Sequence, residues 1–232
     1  MGNLLDTQTV EAACTLLSAV GTSPIIHSQQ RCCGALALHQ GEYHTAQKLA
    51  GHNIRAFNLS QPIVYLATGC GTLLQEYSTL MQDTDSSTTA HAFSERAIEI
   101  CTYLARHPHL SQLQFRPFNK RVAVHIPCSL RNTLKGEKAL MTVLRSVPGA
   151  HLVPLASNDT CCGASGSYML TQPEISHTLL KIKLDDIESI QPDLILSSNI
   201  GCLLHIQAGL KAKGSPIQVI HPVEWLGRQL VY

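Results

Sequence analysis

Short apolar runs alternate with amphipathic stretches along the whole chain, and this alternation predicts a succession of strands and helices. In the first part, apolar positions recur at helical spacing over 9–20. A short extended run follows at 23–27, then a helix over 42–57, a strand at 63–66 opened by Pro62, and a helix from Cys70. The polar stretch 82–87 reads as a loop, and 90–106 as one long helix bridging to the second part. There the plan repeats: strand 122–126, helix 137–146, strand 151–155, helix 173–190, strand 193–196, a helix from Cys202, strand 217–220 and helix 223–230. Strands that alternate with helices in this way predict an α/β fold with parallel sheets.

The two parts are copies of one unit. Cys32-Cys33-Gly34 recurs 129 positions later as Cys161-Cys162-Gly163, and Gly69-Cys70 recurs 132 positions later as Gly201-Cys202. Six of the nine cysteines fall in this frame. The expected architecture is therefore two tandem Rossmann-like βαβ units, with a first unit at 1–88, a bridging helix and linker at 89–118, and a second unit at 119–232. The second unit has one more cysteine, Cys128, directly after its opening strand and 33 positions before Cys161. Projected onto the first unit, that spacing falls at about position −1, just ahead of Met1. The first unit is thus expected to lack its opening strand and fourth ligand, as in a truncated or split gene product. The alternative is that it never had that ligand.

Composition narrows the chemistry. A net charge of +1 with no basic stripe gives no footprint for nucleic acid or an anionic membrane. No run approaches the length of a membrane span, and the first ten residues have neither the positive nor the apolar region of a secretory signal. A cytoplasmic location is the expectation. In a reducing compartment clustered cysteines point to metal binding or catalysis rather than to disulfides, and adjacent thiols make poor disulfide partners for each other. A soft metal or an iron–sulfur cluster explains them better. The 12 histidines form no His-Glu-x-x-His and no compact cluster, and no Ser-His-Asp order or paired carboxylates support hydrolysis. Gly163-Ala164-Ser165-Gly166 lacks the lysine and spacing of a phosphate loop.

The predicted topology makes convergence possible. Cys128, Cys161-Cys162 and Cys202 each follow a predicted strand, and in open α/β sheets the carboxyl ends of strands line one ligand-binding edge. Helices starting near Cys70 and Cys202 would turn positive dipole ends toward thiolates. Cys32, Cys33 and Cys70 supply three ligands only, so a second site would be incomplete, empty or completed by another chain. His27 and His39 lie near enough in sequence to be considered as replacements, although a lone histidine beside a strand is more often structural. Cys14 and Cys101 sit on apolar helix faces and read as core residues.

With these residues placed, the chain resembles the Cys-Cys-Gly domain family, to which one of the heterodisulfide reductase subunits belongs. Within that family it is similar to the C-terminal part of the iron–sulfur subunit of glycolate oxidase. The likeness is carried by Cys32-Cys33-Gly34-Ala35-Leu36 with Gly41, Thr68-Gly69-Cys70-Gly71 with Glu76-Tyr77, and Cys161-Cys162-Gly163 with Ser165-Gly166-Ser167-Tyr168. It continues through Leu170-Thr171-Gln172-Pro173-Glu174, Gly201-Cys202-Leu203-Leu204 with Ala208-Gly209-Leu210, and His221-Pro222-Val223-Glu224. Lactate-utilisation and anaerobic glycerol-3-phosphate dehydrogenase subunits share the cysteine frame but match the Leu170–Glu174 stretch less well. Two departures stand out: there are no ferredoxin-like Cys-x2-Cys-x2-Cys-x3-Cys runs, and Ile126-Pro127-Cys128-Ser129 replaces the usual Asp-Pro-Cys-His.

The resemblance implies that Cys128, Cys161, Cys162 and Cys202 ligate an iron–sulfur cluster, most simply [4Fe–4S], with a four-cysteine zinc site as the alternative. Adjacent cysteines favour a cluster, because neighbouring thiolates reach different irons more easily than they both fit one tetrahedral ion. The implied role is an electron-transfer subunit of a glycolate (2-hydroxy acid) oxidase or dehydrogenase. It would relay electrons from a flavoprotein partner toward a quinone-linked acceptor, with a separate ferredoxin-like protein as a further partner and peripheral membrane attachment through partners. Two other readings stay open: a disulfide- or quinone-reducing subunit like heterodisulfide reductase, and a zinc-bound or metal-free interaction module.

Overall fold

A computed structural model describes residues 6–58 and 60–231. Met1, and the projected ligand position before it, lie outside them. The first half comprises α1 (Thr7–Ala19), α2 (Ala35–His39), α3 (Tyr43–Ala56), β1 (Ile63–Tyr65), α4 (Thr68–Gln75), α5 (Tyr77–Leu80), α6 (Ser87–Arg96), β2 (Ala97–Glu99) and α7 (Ile100–Arg106). The second comprises β3 (Arg121–His125), α8 (Glu137–Leu144), β4 (His151–Pro154), α9 (Tyr168–Thr171), α10 (Pro173–Ile190), β5 (Leu194–Ser197), α11 (Ile200–Ala212), β6 (Gln218–Ile220) and α12 (Pro222–Gln229).

Both sheets are parallel, as the alternation of elements predicts. One has the order β1-β2 and the other β4-β3-β5-β6. The central strand β5 is buried at every position, which accounts for its unbroken apolar run Leu194-Ile195-Leu196. In the register, Val124 of β3 stands between Pro154 of β4 and Leu196 of β5.

Two expectations are corrected. Residues 23–27 form no strand, and Ile25 and Ile26 are 66% and 60% exposed. This run occupies the repeat position of β4, which bonds only to β3, and no counterpart of β3 stands among the described residues. The run therefore has no ladder to join. The long bridging helix at 90–106 is likewise not one helix. It is broken by β2, which pairs with β1 in the register Ile63↔Ala97 to Tyr65↔Glu99. Glu99 then caps α7 by accepting from Thr102 N at 2.8 Å. β1 and β2 are thus the counterparts of β5 and β6.

The halves exchange helices. α1 packs against α12, and α8 packs against α7. In the repeat, α1 corresponds to α8 and α7 to α12, so each half lends the other an equivalent helix. Leu16, Ile100 and Leu104 are fully buried in one cluster with Val122, Val124, Leu196 and Trp225. Gly227 of α12 permits this closeness, since a Cβ there would lie 2.8 Å from Ala12 Cβ. Polar contacts add to the join: Thr68 N donates to Ser198 O (3.2 Å), Ser129 Oγ to Thr68 Oγ1 (2.8 Å), and His221 Nε2 to Leu66 O (3.1 Å). Among the described residues no helix is long and apolar enough to cross a membrane.

Candidate metal centre

Three segments carry the four cysteines of the second half to one region. Cys128 follows β3 and opens a single wide turn, Ser129–Thr133. Cys202 lies in the first turn of α11, and Cys70 in the first turn of α4, as expected from the helix-dipole argument. Cys161 and Cys162 do not follow directly on β4, because a 3-10 turn, Ala156–Asp159, intervenes. Asn158 ties that turn to the end of β3, its Oδ1 accepting from Ile126 N (2.9 Å) and its Nδ2 donating to Val124 O (3.0 Å).

Cys162 and Cys202 are in direct contact, with the sulfurs 2.7 Å apart, and Cys128 and Cys161 stand near enough to act on each other's ionisation. Two further donors point at sulfur: Gly163 N at Cys161 (3.3 Å) and Asn199 Nδ2 at Cys202 (3.4 Å). Hydrogen bonds from Cys128 and Cys162 hold the Cys161 thiol far below its ordinary value, and the Lys183 ammonium adds to the effect. Cys128 is pushed up by its bond to Cys161, and Cys162 by its bonds to Cys161 and Cys202. Three segments of the chain bring the four thiols to one region as a soft, sulfur-rich donor set, within which Cys162 and Cys202, with His125, have ligand atoms within 4.8 Å of one another. This set fits an iron–sulfur cluster or a four-cysteine zinc.

Around the sulfurs the loop is fixed from below. Gly163 takes φ +89°, and a Cβ there would lie 2.5 Å from Ser176 O, so only glycine fits between the cysteine pair and α10. Ser176 Oγ donates to Gly163 O at 2.9 Å. With its proton used there, it accepts from His205 Nε2 at 3.1 Å.

Two polar residues of this site escaped the sequence argument. His125, buried at the end of β3, brings a ring nitrogen within 4.8 Å of the Cys162 and Cys202 sulfurs and bonds Ser197 Oγ through Nδ1 at 2.9 Å. Burial holds its pKa down at about 3, so the ring is neutral. The only signal was a histidine inside an otherwise apolar strand. Lys183, fully buried on α10, donates to Ser157 O. It looked like one more charged position on an amphipathic helix.

In the first half, Cys32, Cys33 and Cys70 also stand near one another, each acting on the ionisation of a neighbour. Cys70 is held low by its bond with Cys33, whereas Cys32 is raised by its own bond with Cys33. Asn53 and Tyr77 cradle this loop. Asn53 Oδ1 accepts from Arg31 N (2.8 Å), its Nδ2 donates to Cys32 O (3.1 Å), and Tyr77 OH donates to Cys33 O (2.7 Å). His27 instead stacks on Phe57 with ring centres 4.7 Å apart, and His39 faces Gly166. Cys101 is fully buried in the core cluster, as expected, and Cys14 is half-buried.

This duplicated cysteine arrangement on parallel sheets defines a class that comparison with known families identifies: the cysteine-rich CCG domain profile matches residues 1–75 and 122–207, and the chain belongs to that family. Among curated proteins it is 30% identical to the "Probable glycolate oxidase iron-sulfur subunit" of Bacillus subtilis (strain 168), over 97% of this chain and 52% of that protein. It is 31% identical to the glycolate oxidase iron-sulfur subunit of Escherichia coli (strain K12), over 87% of this chain and 50% of that protein. Lactate utilization protein A of Geobacillus sp. (strain WCH70) is 28% identical over 97% of this chain and 94% of its own length. The chain thus spans about half the length of the glycolate oxidase subunits and nearly all of lactate utilization protein A.

Proposed function

We propose that this chain is an iron–sulfur electron-transfer subunit of a 2-hydroxy acid oxidase or dehydrogenase, with glycolate as the substrate class and a flavoprotein as electron donor. The observation that carries this reading is the gathering of Cys128, Cys161, Cys162 and Cys202 in one region from three separate segments. The relatives named as glycolate oxidase iron-sulfur subunits support it. When bound there, a [4Fe–4S] cluster supplies one-electron acceptance and release. The protein's own part is to position thiolates, direct Gly163 N and Asn199 Nδ2 at sulfur, and bury two of the ligands, Cys162 and Cys202, both 2% exposed. Cys128 is exposed, which leaves one corner of the site open toward a docking partner. Electrons would pass there from the flavoprotein toward a quinone-linked acceptor, with a ferredoxin-like protein as intermediary and attachment to the inner membrane through these partners.

A zinc reading is favoured by one observation, the mixed nitrogen and sulfur set His125, Cys162 and Cys202. Anaerobic purification of the full chain followed by iron, acid-labile sulfide and zinc counts separates the two. Iron and sulfide in equal amounts with an EPR signal after reduction is the expected result, and zinc without iron overturns the proposal. Mixing the iron-loaded chain with its flavoprotein and glycolate or lactate then identifies the hydroxy acid, by which one bleaches the cluster absorbance.

A further inference from the structure

Alternation along β3 divides its side chains between two faces of the sheet. Val122 and Val124 join the cluster that holds Leu16, Ile100 and Leu104, whereas Ala123 joins the one built with Leu180 and Leu184 of α10 and Ile206 of α11. His125 shares the face of Ala123, at the carboxyl end of the strand. That face leads to Cys202 in the first turn of α11 and to Cys162 in the loop ahead of α10.

The ring is 1% exposed. Among the described residues its one hydrogen bond joins Nδ1 to Ser197 Oγ at 2.9 Å, Ser197 being the strand partner directly opposite. Nε2 is left without a hydrogen bond there, and a buried polar nitrogen is normally satisfied because leaving it bare is costly. What lies near the ring is sulfur. A ring nitrogen of His125 and the sulfurs of Cys162 and Cys202 are all within 4.8 Å of one another. Donors bound to one tetrahedral metal stand about 3.5–3.8 Å apart, so small side-chain rotations bring these three to a common metal atom. The competing use of this nitrogen is a hydrogen bond to sulfur. Cys202, however, already receives one from Asn199 Nδ2 at 3.4 Å. Ser197 fits the ligand role as well, since a partner on the second nitrogen fixes the tautomer and orientation of a metal-binding imidazole. With Nδ1–H donating to Ser197 Oγ, Nε2 presents a lone pair.

We infer that His125 is a further metal ligand of this centre, binding through Nε2 the same metal atom as Cys162 and Cys202. This rests on the metal-centre reading given above and deepens it by adding a nitrogen to the four thiolates. Imidazole brings no negative charge to a site already rich in thiolate.

The test is pulsed EPR of the reduced, anaerobically purified full chain, grown with ordinary histidine or with histidine labelled with the heavy nitrogen isotope. The wild type is expected to show a strong nitrogen coupling that changes with the label. Only the weak coupling of a hydrogen-bonded ring, or none, overturns the inference. His125→Leu is expected to keep iron and lose the strong coupling, and persistence of the coupling in that variant overturns the inference too. If His125→Leu loses the iron, His125→Cys decides: iron regained with the histidine coupling gone supports a ligand position, and iron still absent refutes it. If the wild type instead holds zinc without iron, the electron-transfer reading fails and the ligand is read from zinc X-ray absorption. A nitrogen shell at about 2.0 Å that disappears in His125→Leu sustains the inference there, and an all-sulfur shell in the wild type removes it. A wild type that binds neither metal overturns both.

Discussion

Gly163→Ala, compared with Gly34→Ala, tests how the cysteine pair is held. Both glycines have left-handed backbones, φ +89° and +93°, so an alanine at either costs about 1–2 kcal/mol in backbone conformation alone. The surroundings then differ. At Gly34 the new Cβ would lie 3.2 Å from Ala46 O, and a shift of about 0.2 Å restores ordinary contact. At Gly163 it would lie 2.5 Å from Ser176 O, and the loop must retreat by about 0.9 Å. Overpacking of that kind adds about 1–3 kcal/mol, so Gly163→Ala is expected to cost about 2–5 kcal/mol against about 1–2 for Gly34→Ala. The retreat also moves Gly163 N away from Cys161 and breaks the Ser176–Gly163 bond, so iron should fall in Gly163→Ala and hold in Gly34→Ala. Urea unfolding of the anaerobically purified chain, with iron assayed on the same samples, reads both effects. Equal stability losses with full iron in both variants would refute the claim that close packing against α10 shapes the ligand loop.

Three further outcomes are expected. Cys161→Ser and Cys202→Ser should each lower bound iron, whereas Cys101→Ser should leave it unchanged; equal iron in all three would end the ligand assignment. His221, buried with Nε2 donating to Leu66 O and Nδ1 accepting from Val223 N, is lowered to about 4 by burial, from 6.5. The unfolded chain therefore binds a proton that the folded chain refuses, and stability is full above pH 6.5 and lost as pH falls toward 4. His221→Asn, which keeps a capping side chain, should remove about 2 kcal/mol of the stability change between pH 7 and pH 5 seen in urea midpoints. Glu99 is raised by burial, so it favours folding less as pH rises above its ordinary value of 4.5. Glu99→Gln should flatten that alkaline-side loss in a thermal melt series, and an unchanged pH profile would show Glu99 to be uninvolved.

Much of this molecule was legible because its signals are local. The copied Cys-Cys-Gly and Gly-Cys words, the proline-opened strands and the amphipathic α3 and α10 each depend on a few neighbouring residues. What was misread depends on partners distant in the chain. Ala97-Ile98-Glu99 is too short for strand alternation to stand out between two helical patterns, and it becomes β2 only because β1 lies beside it. Residues 23–27 have the composition of a strand but no strand to bond with among the described residues. At the centre, the cysteines declared themselves by spacing, whereas His125 within an apolar strand and Lys183 on an amphipathic helix carried no such spacing signal. Only the folded positions of β3 and α10 turn those two side chains inward.

The reciprocal placement of α1 on α12 and α8 on α7 bears on how the molecule comes apart. A cut at the repeat boundary would strip from the four-stranded sheet Leu16 of α1 and Ile100 and Leu104 of α7, leaving Val122, Val124 and Trp225 open to water. Neither copy is a self-sufficient folding body, although the sequence repeats almost as if it were. The chain should therefore melt in a single cooperative step, and harm done at one set of cysteines will be felt structurally at the other.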